Sequence, residues 1–190
     1  MAAPLDRFMP RADIRTRHEI AIEAPAAIVF EVARNCDLQS LPMVRAIFWL
    51  RGKMLGARGS ARWESHGLAA DLLRMGWGRL AEEPDRYLIA GARCQPWLPD
   101  VIFTPIPADR FEAFAEPDQV KIVWTLEVEA IDTGRTRFAT ETRAVATDES
   151  ARLRFRRYWR VFGIGTRLIR WLLLPAIRRE AERRWTSRRS

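Results

Sequence analysis

Two segments in the second half of the chain alternate between apolar and polar residues, and this alternation restricts the fold more than any other feature. In the first, VKIVWTLEVEA at residues 120–130, every second residue is apolar and most of the others are charged or hydroxylic. The second, TRFATETRAVAT at residues 136–147, follows an Asp-Thr-Gly turn. A side-chain period of two is typical of strands with one buried face, so the pair predicts an antiparallel hairpin. We expect its polar face to be solvated, with Glu141 and Arg143 as an exposed ion pair.

The remaining patterns predict an α+β domain in which short helices precede most of the strands. Thr16 to Glu23 alternates like the hairpin, and Pro25 follows where the first position of a helix needs no N–H group. We predict helices at 26–35, 41–50 and 68–75, a loop at 51–66, and strands at 77–83, 86–94 and 111–116, with an extended piece at 101–104. About six or seven strands joined by short turns favour an antiparallel meander.

The two ends of the chain differ from this pattern. Residues 1–13 hold two prolines and no periodicity, so we expect a mobile arm followed by a single domain at residues 14–187. Thr147 or Asp148 is expected to cap a C-terminal helix, because its side chain can accept from the first free N–H groups. The sequence GIG at 163–165 predicts either two consecutive helices or one sharply bent helix.

Two segments of the sequence resemble those of a known superfamily. Residues 18–34, HEIAIEAPAAIVFEVAR, and residues 136–143, TRFATETR, resemble the opening and the last strand of bacterial SRPBCC proteins. This superfamily contains START domains, polyketide cyclases and birch-pollen-allergen-like proteins. The resemblance, over residues 16–185, implies a helix-grip fold, in which a curved antiparallel sheet wraps around a long C-terminal helix and encloses a cavity. An insertion at 51–75 and the arginine-rich, interrupted C-terminal helix depart from that pattern.

Aromatic residues supply the candidate ligand contacts. Eight tryptophans and nine phenylalanines are many for this length, and several fall on faces predicted to point inward. Such side chains form either a solid core or the wall of an apolar pocket, and both interpretations stay open. The Pro-rich loop at 94–107 could be a lid over a cavity mouth or part of the core rim. If a cavity exists, we expect its ligand to contact Trp124, Phe138, Phe111, Trp97, Phe103, Trp77, Trp159, Phe162, Thr140 and His18.

The sequence offers few candidate catalytic groups, which favours a binding function over catalysis. Neither His18 nor His66 is set beside a nucleophile and a carboxylate, and the inward faces are almost wholly apolar or hydroxylic. Cys36 and Cys94 lack a ligand spacing, so we expect reduced thiols, no metal and no other cofactor. We therefore expect binding of a small hydrophobic or amphipathic molecule, such as a lipid, polyketide or aromatic metabolite. Two alternatives stay open: a cyclase- or aromatase-like enzyme that moves a proton with His18 or Thr140, and an interaction protein with a filled cavity.

Basic charge is concentrated at the C-terminus. The net charge is +8, yet residues 151–190 hold 13 arginines against two glutamates. This segment is expected to be a solvated helix face or a contact with an acidic partner or a membrane surface, its apolar side formed by Leu168, Trp171, Leu172 and Leu173. The same apolar side is needed to close the sheet, so the two roles compete. No nucleic acid is expected, because no recognised binding motif accompanies the charge.

The sequence also bears on the compartment. The N-terminus has no continuous apolar core of the kind found in secretory signals. The longest apolar run, 168–177, is shorter than the about 20 residues needed to span a bilayer. The expected compartment is the cytoplasm, and the oligomeric state is left open.

Overall fold

The hairpin predicted from residues 120–147 lies at the centre of a five-stranded antiparallel sheet. In chain order the strands are β1 (Ile14–Ile22), β2 (Gly78–Glu83), β3 (Tyr87–Cys94), β4 (Val120–Ala130) and β5 (Thr136–Ala146). Their order across the sheet is β1-β5-β4-β3-β2. The strands β3, β4 and β5 each have a partner on both sides, so the two faces of these central strands are what the rest of the chain must cover.

Helices occupy the connections and the C-terminus. The structure is a computed structural model that describes residues 4–57 and 65–189. Its α-helices are α1 (Ala26–Arg34), α2 (Pro42–Leu55), α3 (Leu68–Arg74) and α4 (Glu149–Arg189), with short 3-10 helices at Leu5–Arg7 and Leu38–Ser40. The α+β class and the long C-terminal helix are confirmed, and the arrangement is compatible with a helix-grip fold. The expected loop at 51–66 begins later, because α2 runs to Leu55, and its residues 58–64 lie outside the described residues.

One face of the sheet, the inner face, packs against α1 and α4. Alternate residues of the central strands point to this face, among them Leu126 and Phe138, which are fully buried. Ile177 of α4 and Val29 of α1 are buried in the same cluster. Each such side chain contributes about 1.5–3 kcal/mol to the free energy of folding by leaving water. The strands and the helices therefore stabilise one another across this face. None of the described helices combines the length and apolar character needed to cross a bilayer.

The opposite, outer face of the sheet is buried as well. Leu5, Phe8 and Met9 pack there in one cluster with apolar side chains of the strands and of the loop before β4. Arg143 on β5 holds this segment, because its Nη1 donates to Asp6 Oδ1 at 2.6 Å and to the backbone oxygen of Met9 at 2.7 Å. Residues 4–13 therefore pack on the sheet instead of forming the expected mobile arm.

This cover makes the expectation of a solvated Glu141–Arg143 pair wrong. The two residues are 1% and 5% exposed, and Arg143 Nε lies 2.7 Å from Glu141 Oε1. Arg15 and Arg17 also contact Glu141, and Arg17 reaches Glu127 at 3.0 Å. Burial would raise the pKa of Glu141, but its hydrogen bond and charge interaction with Arg143, reinforced by Arg15, lower it below the usual value. The outer face thus carries an ionic cluster around the buried Glu141 and Arg143, beside its apolar cluster.

The expectation of six or seven strands is also wrong, because two expected strands do not form. Residues 111–113 belong to a turn and residues 114–116 have no regular structure. Lys121 Nζ donates to the first two carbonyl oxygens of this segment, those of Phe111 and Glu112, at 3.2 and 2.7 Å. A side-chain donor therefore takes acceptors that a neighbouring strand would need. In the extended piece at 101–104, Thr104 alone pairs with β3, and Pro105 after it cannot donate to a ladder.

Helix α4 runs unbroken through the glycines that were expected to interrupt or bend it. A Cβ at Gly163 would lie 2.9 Å from the Trp159 ring, and one at Gly165 would lie 3.1 Å from Ile47 Cγ2 of α2. The two glycines therefore allow close packing at this part of the helix rather than ending it. Pro175 also lies within α4, on an exposed position.

Phe8 gives a direct test of the packed N-terminal segment. It is 2% exposed, and its ring meets that of Phe111 edge-on at 6.4 Å. We expect Phe8→Ala to lower the free energy of unfolding by about 3–5 kcal/mol, since it removes a buried ring and leaves a cavity. Equilibrium unfolding in urea measures this, with Arg11→Ala at an exposed position as the control, expected within about 0.5 kcal/mol. An unchanged midpoint for Phe8→Ala would contradict the packing.

Asp148 caps α4, as the sequence predicts. The backbone N–H of Ala151 donates to its Oδ1 at 2.8 Å, and that of Asp118 donates to its Oδ2. These backbone hydrogen bonds lower the pKa of Asp148 from 3.8 to about 2. The carboxylate therefore stabilises the fold above about pH 4, and this contribution is lost as the pH falls towards 2.

We expect the stability difference between the wild type and Asp148→Ala to shrink over that pH range. Urea unfolding of both proteins at a series of pH values measures the difference. A difference that stays constant from pH 4 to pH 2 would show that the ionised carboxylate does not cap the helix.

Candidate ligand-binding cleft

The residues predicted to contact a ligand are divided among four parts of the molecule. Four aromatic side chains on the inner face belong to the main core: Trp77, Phe103, Trp124 and Phe138. Phe111 packs in the outer-face cluster, so the sheet separates it from them. His18 and Thr140 are paired positions on β1 and β5. The remaining three lie around the first half of α4: Trp97, Trp159 and Phe162.

Core side chains occupy the space between the sheet and α4 where the ligand was expected. Phe138 is fully buried, and the rings of Trp77 and Phe103 lie 5.3 Å apart in the same cluster. Trp159 packs against Phe155 at a ring distance of 5.8 Å. Neither of the two surface clefts described next lies in this interior.

A cleft of about 290 Å³ opens between the end of α2, the loop after β3 and the first half of α4. It brings together two of the predicted residues, Trp97 and Phe162, and the rings of Tyr158 and Phe162 lie 4.9 Å apart. The other lining residues were not among those predicted from the sequence; they are Leu55, Arg154, Arg157, Tyr158 and Val161. The cleft therefore joins an aromatic wall to two guanidinium groups.

Arg51 of α2 fixes the three elements around this cleft. Its Nε donates to the Tyr158 hydroxyl at 3.1 Å, and its Cζ lies 5.8 Å from the centre of that ring. Its Nη2 donates at 3.1 Å to the backbone oxygens of Pro96 and Leu98, on either side of Trp97. Because one planar guanidinium binds both the loop and α4, the position of Trp97 depends on α2.

The two arginines of the cleft differ in their ionic partners. Arg154 lies 5.5 Å from the centre of the Trp97 ring and forms an ion pair with Asp118 at 3.0 Å. Arg157 is exposed and, among the residues that the structure describes, makes no ion pair with a carboxylate. Arg157 is therefore the cation of the cleft that is available to an anionic group.

A second cleft, of about 670 Å³, lies at the other end of α4. The turn between β4 and β5 and the last residues of the helix form it, with Trp185 and Arg189 on the helix side. Its lining is mostly polar, with Glu23 and Asp132 among the residues. Apart from Trp185 it offers little apolar surface, so the smaller cleft fits an apolar or amphipathic molecule better despite its size.

A buried cation lies on the inner face, where the sequence predicts apolar and hydroxylic residues. Arg170 of α4 is 5% exposed, and its Nη1 donates to the backbone oxygen of Thr16 at 2.9 Å and to its Oγ1 at 2.7 Å. Its Nη2 donates to Thr142 Oγ1. No described carboxylate forms an ion pair with it, and burial lowers its pKa to about 10, against the opposing effect of Glu141. Arg170 thus anchors α4 to β1 and β5 by hydrogen bonds.

The remaining candidates for acid–base or nucleophilic chemistry are His18, Thr140 and the two cysteines. Burial, with the nearby Arg170 and Arg167, lowers the pKa of His18 and so favours its neutral form. The Thr140 hydroxyl is buried and has no hydrogen-bond partner among the described residues. Burial raises the pKa of the Cys36 thiol to about 11 and that of Cys94 to about 12, which makes both poor nucleophiles.

Comparisons with known proteins find only distant structural similarity. No protein-family model matches the sequence, and no curated protein matches it. The chain is similar to a hypothetical protein from Helicobacter pylori, with 13% identity, a TM-score of 0.34 and coverage of 77% of this chain and 79% of the other. It is also similar to the Zhui aromatase/cyclase from Streptomyces sp. R1128, with 14% identity, a TM-score of 0.30 and coverage of 90% and 94%.

Arg170 gives a test of how α4 is held. We expect Arg170→Ala to lower the free energy of unfolding by about 2–4 kcal/mol, because it leaves a cavity and unpaired oxygens at Thr16 and Thr142. Arg167→Ala, on an exposed position one turn earlier, is the matched control and should stay within about 0.5 kcal/mol. Urea unfolding measures both. If Arg170→Ala were as stable as the wild type, the desolvation of the guanidinium would outweigh its hydrogen bonds.

Proposed function

We propose that the protein binds a small amphipathic anion in the cleft between α2 and α4. The observation that carries this proposal is the position of Arg157, an arginine without an ionic partner among the described residues, at the edge of a wall formed by Trp97, Tyr158 and Phe162. An apolar body would lie against the rings, and an acidic group would meet the guanidinium. The proposal keeps the function class that the sequence resemblance implies and moves the site from the interior to the seam between two helices.

The size of the cleft limits the ligand. Pockets for small molecules usually measure about 300–1,000 Å³, and this cleft, at about 290 Å³, lies at the lower edge of that range. It suits one or two rings or a short acyl chain rather than a complete lipid. Val161 lines the cleft and is about half exposed, so a longer chain could leave the cleft past this residue.

A cyclase-like reaction in the interior has less support. His18 and Thr140 would be its proton-transfer groups, but core side chains fill the space beside them. Neither residue lines one of the two clefts. A reacting chain would therefore need the main core to open before it reached either group.

Charge selectivity tests the proposed site. The probes are a dansyl-labelled fatty acid and the corresponding alcohol, each titrated in buffer without lipid and followed by the dansyl fluorescence. We expect Arg157→Gln to weaken binding of the acid about fivefold, the value of one partly solvated charge pair, and to leave the alcohol unchanged. Trp97→Ala should weaken both probes about tenfold, because it removes the aromatic wall.

Arg156→Gln is the matched control for this experiment, because Arg156 is the neighbouring exposed arginine and does not line the cleft. We expect it to bind both probes like the wild type. Equal losses in Arg156→Gln and Arg157→Gln would show a general charge effect, and that result would refute the site. Failure of the wild type to bind either probe would favour an interaction protein with a filled interior.

A further inference from the structure

Helices α2 and α4 expose an unusual number of large apolar side chains. On α4, Trp171 and Ile164 are 71% and 69% exposed. On α2, Met54 and Trp49 are 58% and 56% exposed, and Leu50 is close behind. Single exposed apolar residues are ordinary, but a group of this size on neighbouring elements marks an interaction surface.

The exposed apolar residues of α4 lie on a second apolar stripe of this helix, separate from the stripe that closes the sheet. Leu173, Leu174 and Ile177 face the core, whereas Ile164 and Trp171, seven residues apart, share the solvent side. Residues seven apart occupy the same side of a helix. The sequence predicts that closing the sheet and contacting an outside surface would compete for one apolar side of α4. In the structure the two roles use different sides of the helix.

Helix α2 contacts the first half of α4 and carries further exposed apolar residues. Ile47 lies against Gly165, and Arg51 binds Tyr158, so the two helices are in contact along this stretch. We call the exposed apolar residues of the two helices the docking face; they are Trp49, Leu50 and Met54 on α2 and Val161, Ile164 and Trp171 on α4.

The charge around the docking face has one sign. No acidic residue occurs in α2 or between residues 150 and 179. In the described part of the chain, the exposed Arg156, Arg160 and Arg167 form no ion pair with a carboxylate, while Arg178, Arg183 and Arg184 farther along α4 do. Arginines without a carboxylate partner therefore lie beside the exposed apolar residues of α4.

We propose that the docking face binds the surface of an anionic lipid bilayer. An apolar strip flanked by arginines matches the layered chemistry of that surface, in which acyl chains lie beneath negatively charged headgroups. The two tryptophans, Trp49 and Trp171, have the amphipathic rings that favour the headgroup level. The helices would lie along the surface rather than cross it, since none of those described is apolar enough to span a bilayer.

Sedimentation with vesicles tests the proposal. The protein is mixed at low salt with vesicles of phosphatidylcholine alone or of phosphatidylcholine with phosphatidylglycerol, and the bound fraction is measured. We expect binding to the anionic vesicles only, with a loss as salt is raised. Arg160→Gln should weaken it about fivefold, the effect of about 1 kcal/mol for one basic residue near an anionic membrane. Trp171→Ala should weaken it about tenfold.

Two control variants separate the docking face from general effects. Arg188→Gln removes an exposed arginine near the end of α4, roughly 40 Å from Arg160 by the rise of a helix, and Ile131→Ser removes an exposed apolar residue at the turn after β4. Both should bind vesicles like the wild type. Equal binding to neutral and anionic vesicles, or equal losses in the control and test variants, would overturn the proposal.

The other occupant of such a face would be a second copy of the chain. Light scattering of the wild type and of Trp171→Ala, without vesicles, decides this. A dimer that dissociates in Trp171→Ala, together with no vesicle binding, would overturn the membrane proposal. The test is independent of the cleft, because Arg160 and Trp171 do not line it and both variants should still bind the fatty-acid probe in buffer.

Discussion

Burial of the β4–β5 hairpin on both faces is the constraint on which the rest of the structure depends. The inner face needs α1 and α4 to cover Leu126 and Phe138, as an amphipathic hairpin requires. The outer face carries charges, so its cover must also supply ionic partners. Asp6 and the Met9 carbonyl supply them to Arg143. The first residues of the chain are therefore part of the fold, since without them a buried guanidinium would lose two of its acceptors.

The length of α4 leaves it with more apolar surface than the sheet can cover. Over its 41 residues one side provides Arg170 and Ile177 to the interior, while Trp171 and Ile164 remain in water. Exposed apolar area on a helix lowers the solubility of the protein and does not stabilise the fold, unless another surface covers it. Beside these exposed residues, Arg156, Arg160 and Arg167 have no carboxylate partner among the described residues, a composition that is typical of an interfacial helix.

Local patterns predicted most of the helices and strands, whereas long-range contacts determined the site. The alternation at 120–130 and the cap at Asp148 depend on neighbouring residues, so the sequence shows them directly. The burial of Glu141 depends on residues 4–13, more than 120 positions away, and no period reveals such a cover. Arg170 did leave a signal, because it occupies the helical spacing of Gly163, Leu174 and Ile177 on the core side. An arginine at a core position of a helix means either that the helix is wrongly predicted or that the arginine is buried with hydrogen-bond partners. The structure shows a buried, hydrogen-bonded arginine.

The cleft and the docking face meet at Val161, which lines the one and belongs to the other. A protein held on a bilayer through this face would place the cleft at the level where amphipathic molecules reside, with their apolar bodies among acyl chains and their acidic groups at the headgroups. Arg157 would then face the same kind of anion from a ligand as Arg160 faces from a lipid. Carboxylates on α4 beside these arginines would stabilise the isolated helix by salt bridges, but they would also neutralise the charge on which both kinds of binding depend. The absence of acidic residues between positions 150 and 179 is what such a shared requirement would produce.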